Sequence, residues 1–360
     1  MRILEKYIVG RLLKSFFFLA LNFFLLYLII SLLSDLQDIL KANLNIKDLL
    51  AGYIFNSVTI SEKMLTFAFL IASLHLIGTL NYHNEITAMR TEGIGIMNLS
   101  RMFITTAILV SLFCLFIDNN IVPLLRENRS FAYQSKLKAQ TPKKTIENFA
   151  YYSQDGYFIF ARKFDVGKNK MEGVNIFKEN GKGQLEEEII APQLFWYNRK
   201  WHLQNSTHYR LAGNDFILQS SSEEELLSLA ESPSKLATHT AQSWQYLSLK
   251  ELRRSIKSFS RWKSSKIANI LKLEFHKKIA FSFSPFFLLL AALPFALQIK
   301  TRRAGLSSLG TAIIFYFLYY VLSSLSLALG KIDFFPPSIA AWLTNIFFGI
   351  SGLVGLMSLQ

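Results

Sequence analysis

The side chains with the widest chemical repertoire, six histidines and one cysteine, are scattered along this sequence. No His-Glu-x-x-His, no Gly-x-Ser-x-Gly and no paired His or Cys at metal-ligand spacing occurs. Two lysines preceded by glycine, in NGKGQ and GKID, lack the G-x-x-x-x-G-K-[ST] spacing that wraps phosphates in backbone amides. The sequence therefore predicts no catalytic residue, no metal ligand and no nucleotide site. Cys114 has no second cysteine to pair with and reads as a small buried hydrophobe. A different kind of chemistry is offered by NEITAMRTEG, Asn84 to Gly93, a short polar stretch between two long apolar ones. Asn84 suits a helix N-cap, Glu85 meets the positive end of the helix dipole, and Gly93 suits the C-terminal stop. Such a helix, roughly 13 Å long, is too short to persist in water unless it docks. Glu85 and Glu92 share one face with Ala88 and Met89 between them, while Ile86, Met89 and Arg90 turn another way. This is either a docking surface or a connector lying among lipid headgroups.

The elements that hold this stretch follow from composition. Of 360 residues, 51% are hydrophobic and 32 are Phe, a surplus that calls for lipid as solvent. Runs long enough to cross hydrocarbon occur at 15–34, 279–299, 306–329 and 338–359. Two less clean runs complete a set of six: 64–80, which carries His75, and 102–125, which contains Asp118 and Pro123. His75 reads as a bundle-packing residue, and Glu62 and Lys63 as residues meeting water at the end of the second span. No cluster of titratable groups is read within the spans. The first run is too long for an ordinary signal peptide and no small-residue cleavage site follows it, so it reads as an anchor.

Between the third and fourth runs lie some 150 residues of soluble-domain composition. YFIFARKF (Tyr157 to Phe164), GVNIFK (Gly173 to Lys178) and LFWYNRKWHLQNSTHYRL (Leu194 to Leu211) alternate with Gly, Asn and Asp clusters, which predicts a small antiparallel sandwich or jelly roll. The pattern changes at Ser220, and the run from Leu249 reads as one or two helices leading into the fourth span. Ten Lys or Arg and two Glu fall between Lys250 and Lys278, either a solvated helix face or a basic collar against anionic headgroups. The expected fold is thus an α-helical membrane protein of six transmembrane helices with an all-β, jelly-roll-like domain inserted between helices 3 and 4. Its divisions are 1–129, with the short helix at 84–93, then 130–250, then 251–360.

Arg2, Lys6, Arg11 and Lys14 before the first span, with Lys300, Arg302 and Arg303, predict a cytoplasmic face holding both termini and the 84–93 loop. The inserted domain then lies on the other side, because long loops cross largely regardless of charge. The net charge of +14 borders membrane spans rather than a nucleic-acid fold, so lipid phosphate is the better partner and no nucleic acid is expected.

NEITAMRTEGIG resembles the cytoplasmic coupling-helix motif of the LptF/LptG permease family, the membrane subunits of the lipopolysaccharide exporter. LEKYIVGRLLKSF is similar to that family's amphipathic lead-in, LEFHKKIAFSFSPFFLLLAALPFAL to its fourth-span start, and PPSIAAWLTNIFFGISGL to its last helix. The likeness covers almost the whole chain, weakest in the inserted domain. Two departures concern helix bending: the family's second-span proline is absent, and Thr344 stands where the last span has a proline.

The resemblance implies a non-catalytic permease subunit of an ABC transporter in the inner membrane of a Gram-negative bacterium, with the large domain in the periplasm. It binds no cofactor itself; ATP and Mg belong to a cytoplasmic ATPase dimer. Glu85 is implied to pair with a basic residue in the ATPase groove, Ala88 and Met89 to pack there beside Arg90, and Gly93 to end the helix. A paralogous permease closes a lipid cavity with this chain, and export continues through a periplasmic jelly-roll bridge or a membrane-anchored adaptor. Lipid A needs aromatic and aliphatic walls with a basic rim, which points to Lys41 and, second, Lys63 as phosphate contacts. A jelly roll with a slit could hold acyl chains among Phe158, Phe160, Trp196 and Trp201. The competing reading is a membrane-anchored receptor or scaffold, which would tolerate changes at 84–93.

Overall fold

The computed structural model describes residues 3–36, 46–93, 95–127, 145–152, 157–179, 185–198, 200–212, 215–227, 233, 236, 247–260, 265–298 and 304–358. The helices are α1 (Ile3–Ser34), α2 (Ile46–Tyr82), α3 (Glu85–Thr91), α4 (Ile96–Phe116), α5 (Val122–Glu127), α6 (Leu249–Ser260), α7 (Ser265–Ser282), α8 (Ser284–Gln298), α9 (Ala304–Lys331) and α10 (Pro337–Met357). A π-helical turn, Ile117–Ile121, joins α4 to α5. The strands are β1 (Thr145–Tyr152), β2 (Tyr157–Asp165), β3 (Lys170–Glu179), β4 (Leu185–Tyr197), β5 (Lys200–Ala212) and β6 (Asp215–Leu227). Helices and strands belong to two separate compact units.

Among the described residues of the helical unit, 5 helices are long and apolar enough to cross a membrane, or up to 6 if the pair Ala268–Ser282 and Ser284–Gln298 is one broken span. A continuous fourth span from 279 to 299 is therefore corrected to a pair bent by 48° at Phe283. Two local causes stand out. Ser282 Oγ donates to its own helix at Lys278 O (2.9 Å), and Pro285 has no N–H to give Phe281. A proline also follows the π turn: Pro123, in the first turn of α5, cannot donate to Asn119 four residues back.

α2 is the axis of this unit. From Ala68 to Leu80 every side chain except His75 and Thr79 is buried, as befits a helix with neighbours on all sides. His75 is exposed, which corrects its reading as a bundle-packing residue. α1 joins the core through Ile8, Leu12 and Phe16, one residue per turn along a single stripe. Beyond them Phe17, Phe18, Leu21, Leu25, Leu26, Ile29 and Ile30 are exposed, a surface that water would disfavour and lipid would not. α10 approaches α8 through glycine: a Cβ on Gly352 would stand 2.4 Å from Leu290 O and 2.7 Å from Ala291 N. Gly349 and Gly355 face Phe287 and Pro294 in the same way.

The second unit carries a 6-stranded antiparallel sheet in the sequential order β1-β2-β3-β4-β5-β6. The run Leu194 to Leu211, read as one strand-rich stretch, is the β4–β5 hairpin, reversing at Asn198, whose φ of 50 asparagine tolerates. β6 continues through Ser220–Leu227, past the point where the sequence pattern changes. Phe149, Ile159, Val174, Ile176, Ala191, Leu194, Trp201 and Leu203 build one apolar face. Period-two alternation turns Phe158 and Phe160 to the opposite face, where Phe158 meets Phe177 (ring centroids 6.2 Å). Both faces are buried at β2, so the simple in-out alternation of a half-solvated strand does not hold there.

Candidate coupling and lipid-facing sites

α3 is 7 residues long and hangs between two long helices. Asn84 stands at its N-cap position, but with φ 57 and no side-chain capping bond, which corrects the expected cap. Its backbone does the work instead. Asn84 N donates to Asn81 O (3.1 Å), Asn84 O accepts from Ala88 N (2.9 Å), and the left-handed φ folds the chain back on itself. Gly93 (φ 84) follows the helix, its N–H bonded to Arg90 O at 3.1 Å, the left-handed stop expected of it.

So short a helix needs an anchor. Ile86, which sequence reasoning noted only as turning away from the acidic face, is buried in the bundle core, and Met89 packs against the same core. Glu85 lies 3.5 Å from Arg11 of α1, both about two-thirds covered. Thr87, Ala88, Arg90, Thr91 and Glu92 are exposed. Of the residues expected to meet an ATPase, the structure thus presents Ala88 and Arg90 outward, half-covers Glu85 and turns Met89 toward its own bundle.

Farther from α3, beside the middle of α2 and near the close of α4, lies the other feature. Glu62, Lys63 and Thr66 of α2, Phe281 and Ser284 of the broken span and Tyr316, Tyr319 and Tyr320 of α9 line one small pocket. Lys63 is exposed, its Nζ 5.1 Å from the Tyr320 ring centroid, and its carbonyl accepts from Tyr316 Oη (3.2 Å). Thr66 and Ser284 hydroxyls meet at 2.9 Å; Tyr319 Oη donates to Asn345 Oδ1 (2.7 Å), which in turn donates through Nδ2 to Ala280 O (2.6 Å). An aromatic wall, Phe23 to Phe67 (5.2 Å) to Tyr316 (4.7 Å), runs from α1 to α9. Lys41 lies outside the described residues.

Next to this pocket the structure assembles what the sequence reading did not find: a titratable cluster at the ends of three spans. Lys278 Nζ stands 3.4 Å from Asp118 Oδ2 and donates to Leu247 O (2.7 Å), with its side chain only 4% exposed. Glu62 does not simply meet water, because its Oε1 is buried without a hydrogen-bond partner among the described residues. The signal was present in the sequence as Asp118 inside an apolar run, but nothing local names Lys278 as its partner. Among the described residues no three His, Cys, Asp or Glu converge as metal ligands.

In the sheet unit the four aromatic residues expected to hold acyl chains separate into two pairs. Trp196 and Trp201 face each other across β4 and β5 (5.2 Å, edge-on) in the main apolar face, and Phe158 and Phe160 lie on the other. Glu188, opposite Phe177 on one side and Tyr209 on the other, shares the phenylalanine face. Burial there pushes its carboxyl up to about 7. His208 Nδ1 and Glu187 Oε1 meet at 2.6 Å between β5 and β4.

A bundle of 5 or 6 apolar helices interrupted by one antiparallel sheet defines a multi-pass membrane protein with an inserted β unit. The family described as "Lipopolysaccharide export system permease LptF/LptG" matches residues 6–358, nearly the whole chain. The chain belongs to that family, whose members are permease components of an exporter and not themselves catalytic. No curated protein matches it.

Proposed function

We propose that this chain is the permease subunit of an ATP-driven lipopolysaccharide exporter, converting closure of a partner ATPase into extraction of lipopolysaccharide from the inner membrane. The observation that carries the reading is α3: a peg anchored inward by Ile86 and Met89 while Ala88, Arg90 and Thr91 stay exposed. Lys6, Arg11, Lys14, Arg90 and Arg101 flank that end of the bundle, which favours its being cytoplasmic, with the sheet unit in the periplasm. A cytoplasmic ABC ATPase dimer supplies ATP and Mg; Glu85 engages a basic residue of its groove, exchanging Arg11 for it, while Ala88 and Arg90 form the seat, Met89 backs it from the bundle side and Gly93 closes the helix.

A paralogous permease completes the lipid cavity, against the exposed apolar side of α1 and α9. Lys63 beside Tyr316 and Tyr320 is the phosphate contact within the described residues, with Lys41 as its companion. The six-stranded sheet belongs to a jelly-roll-like unit that passes acyl chains along its aromatic side chains to a periplasmic bridge or membrane-anchored adaptor. The test is ATP-driven release of lipopolysaccharide from proteoliposomes holding the assembled complex. Glu85→Lys should assemble its membrane part, yet lose ATPase association or coupled release; wild-type export by that variant would overturn the reading.

A further inference from the structure

The chain leaves the helical unit after α5 and returns at α6, so these two crossings are covalent links between bundle and sheet. The π turn before α5 and the start of α6 are tied together at one place. Asn119, in the π turn, accepts the N–H of Leu249, first residue of α6, at 2.9 Å. Its neighbour Asp118 stands 3.4 Å from Lys278 Nζ, and the same ammonium donates to Leu247 O at 2.7 Å. α6 itself starts on a reciprocal cap: Ser248 N donates to Glu251 Oε2 (2.7 Å) and Glu251 N to Ser248 Oγ (3.2 Å). The point of attachment therefore belongs to a defined helix start and not to a slack loop.

We propose that Asp118, Asn119 and Lys278 form a clasp that holds the outgoing and returning chain together at this end of the bundle, so that displacement of the bundle moves both segments as one. The proposal rests on the transport reading. Three features support it. A π turn adds one residue to a helical turn and re-aims its side chains, and here two of its three polar residues, Asn119 directly and Asp118 through Lys278, hold the returning chain. A buried ammonium held beside the Asp118 carboxylate and the Leu247 carbonyl fixes geometry more than it adds stability, since apolar replacements of such pairs are often neutral or better. Lys277 is engaged by Glu274 at 3.0 Å, whereas the neighbouring Lys278 reaches Asp118. Asp118, Asn119 and Lys278 are positioning residues, since they act through α6 and not on the cargo.

The experiment reads lipopolysaccharide released per ATP hydrolysed by the full complex in proteoliposomes, a ratio that lower yield of complex does not change. Asn119→Leu removes the bond from Leu249 and an exposed one to Asn120, and buries no charge; it should lower the ratio about fivefold. Lys278→Met should lower it further, and a disulfide between Asn119→Cys and Leu249→Cys in that background should restore the ratio until reductant is added. If Lys278→Met does not assemble, Asn119→Leu decides the matter alone. An unchanged ratio in Asn119→Leu overturns the clasp, and so does loss of export when the disulfide closes in the otherwise unaltered chain. Failure of the unaltered complex to release lipopolysaccharide on ATP would overturn the transport reading together with the clasp built on it.

Discussion

Arg11 on α1 and Glu85 on α3 stand 3.5 Å apart, so the carboxylate proposed to reach a partner already has a cation of its own chain beside it. The pair is partly exposed, and such pairs contribute about 0–1 kcal/mol. Arg11→Gln should consequently leave the thermal stability of the purified chain within about 2 °C of the parent, since 1 kcal/mol moves the midpoint of a chain this long by only about 1–2 °C. If Arg11 competes with the ATPase for Glu85, the same variant should also bind the ATPase at least as tightly as the parent, which copurification yield would show.

Ile86 is the main tether of α3. Removing a buried Ile side chain costs about 2–5 kcal/mol in a protein core, more than a helix of 7 residues supplies by itself. Ile86→Ala should therefore release α3 without unfolding the bundle. Hydrogen exchange of peptides covering 84–93 should speed up, while peptides covering Ala68–Leu80 stay protected.

Gly352 marks a contact between α8 and α10 that admits no side chain, because the nearest atoms to an added Cβ are backbone, 2.4 Å away at Leu290 O. Overpacking of this kind costs about 1–3 kcal/mol. Gly352→Ala should lower the melting temperature in detergent measurably, whereas Gly310→Ala, where an added Cβ meets nothing within 4 Å, should not.

Glu188 gives the sheet a pH dependence of definite sign. Burial raises its carboxyl from 4.5 to about 7, so the folded sheet holds the proton more tightly than the unfolded chain. Stability is then fully present below pH 4.5 and declines as pH rises through 7. Backbone exchange in β3–β5 should be slower at pH 5 than at pH 8 after correction for intrinsic rates, and Glu188→Gln should remove most of that difference.

What could be read from the sequence was what is local. Apolar runs marked the spans because length and hydropathy are properties of one segment, and YFIFARKF and GVNIFK marked strands because their period is two. Gly93 was legible as a stop since only the backbone there decides it. What escaped involves partners distant in the chain. Asp118 and Lys278 are unremarkable apart and become a buried pair only when α4 and α7 pack. The break at Phe283 was hidden because Ser and Pro are common in spans, and Ser282 bends its helix through a bond to its own turn. His75 illustrates the reverse error: within a helix buried on nearly all sides, hydropathy could not tell which single position faces outward.

The account requires the peg and the sheet to lie on opposite sides of the membrane, and one labelling experiment decides it. Thr91 and Ile217 are both exposed, and the native Cys114 is buried. With Thr91→Cys or Ile217→Cys in cells whose outer membrane is permeable, an impermeant thiol reagent should modify position 217 and reach position 91 only after the inner membrane is opened. Modification of position 91 in cells with an intact inner membrane, or protection of position 217 there, would contradict the coupling role given to α3.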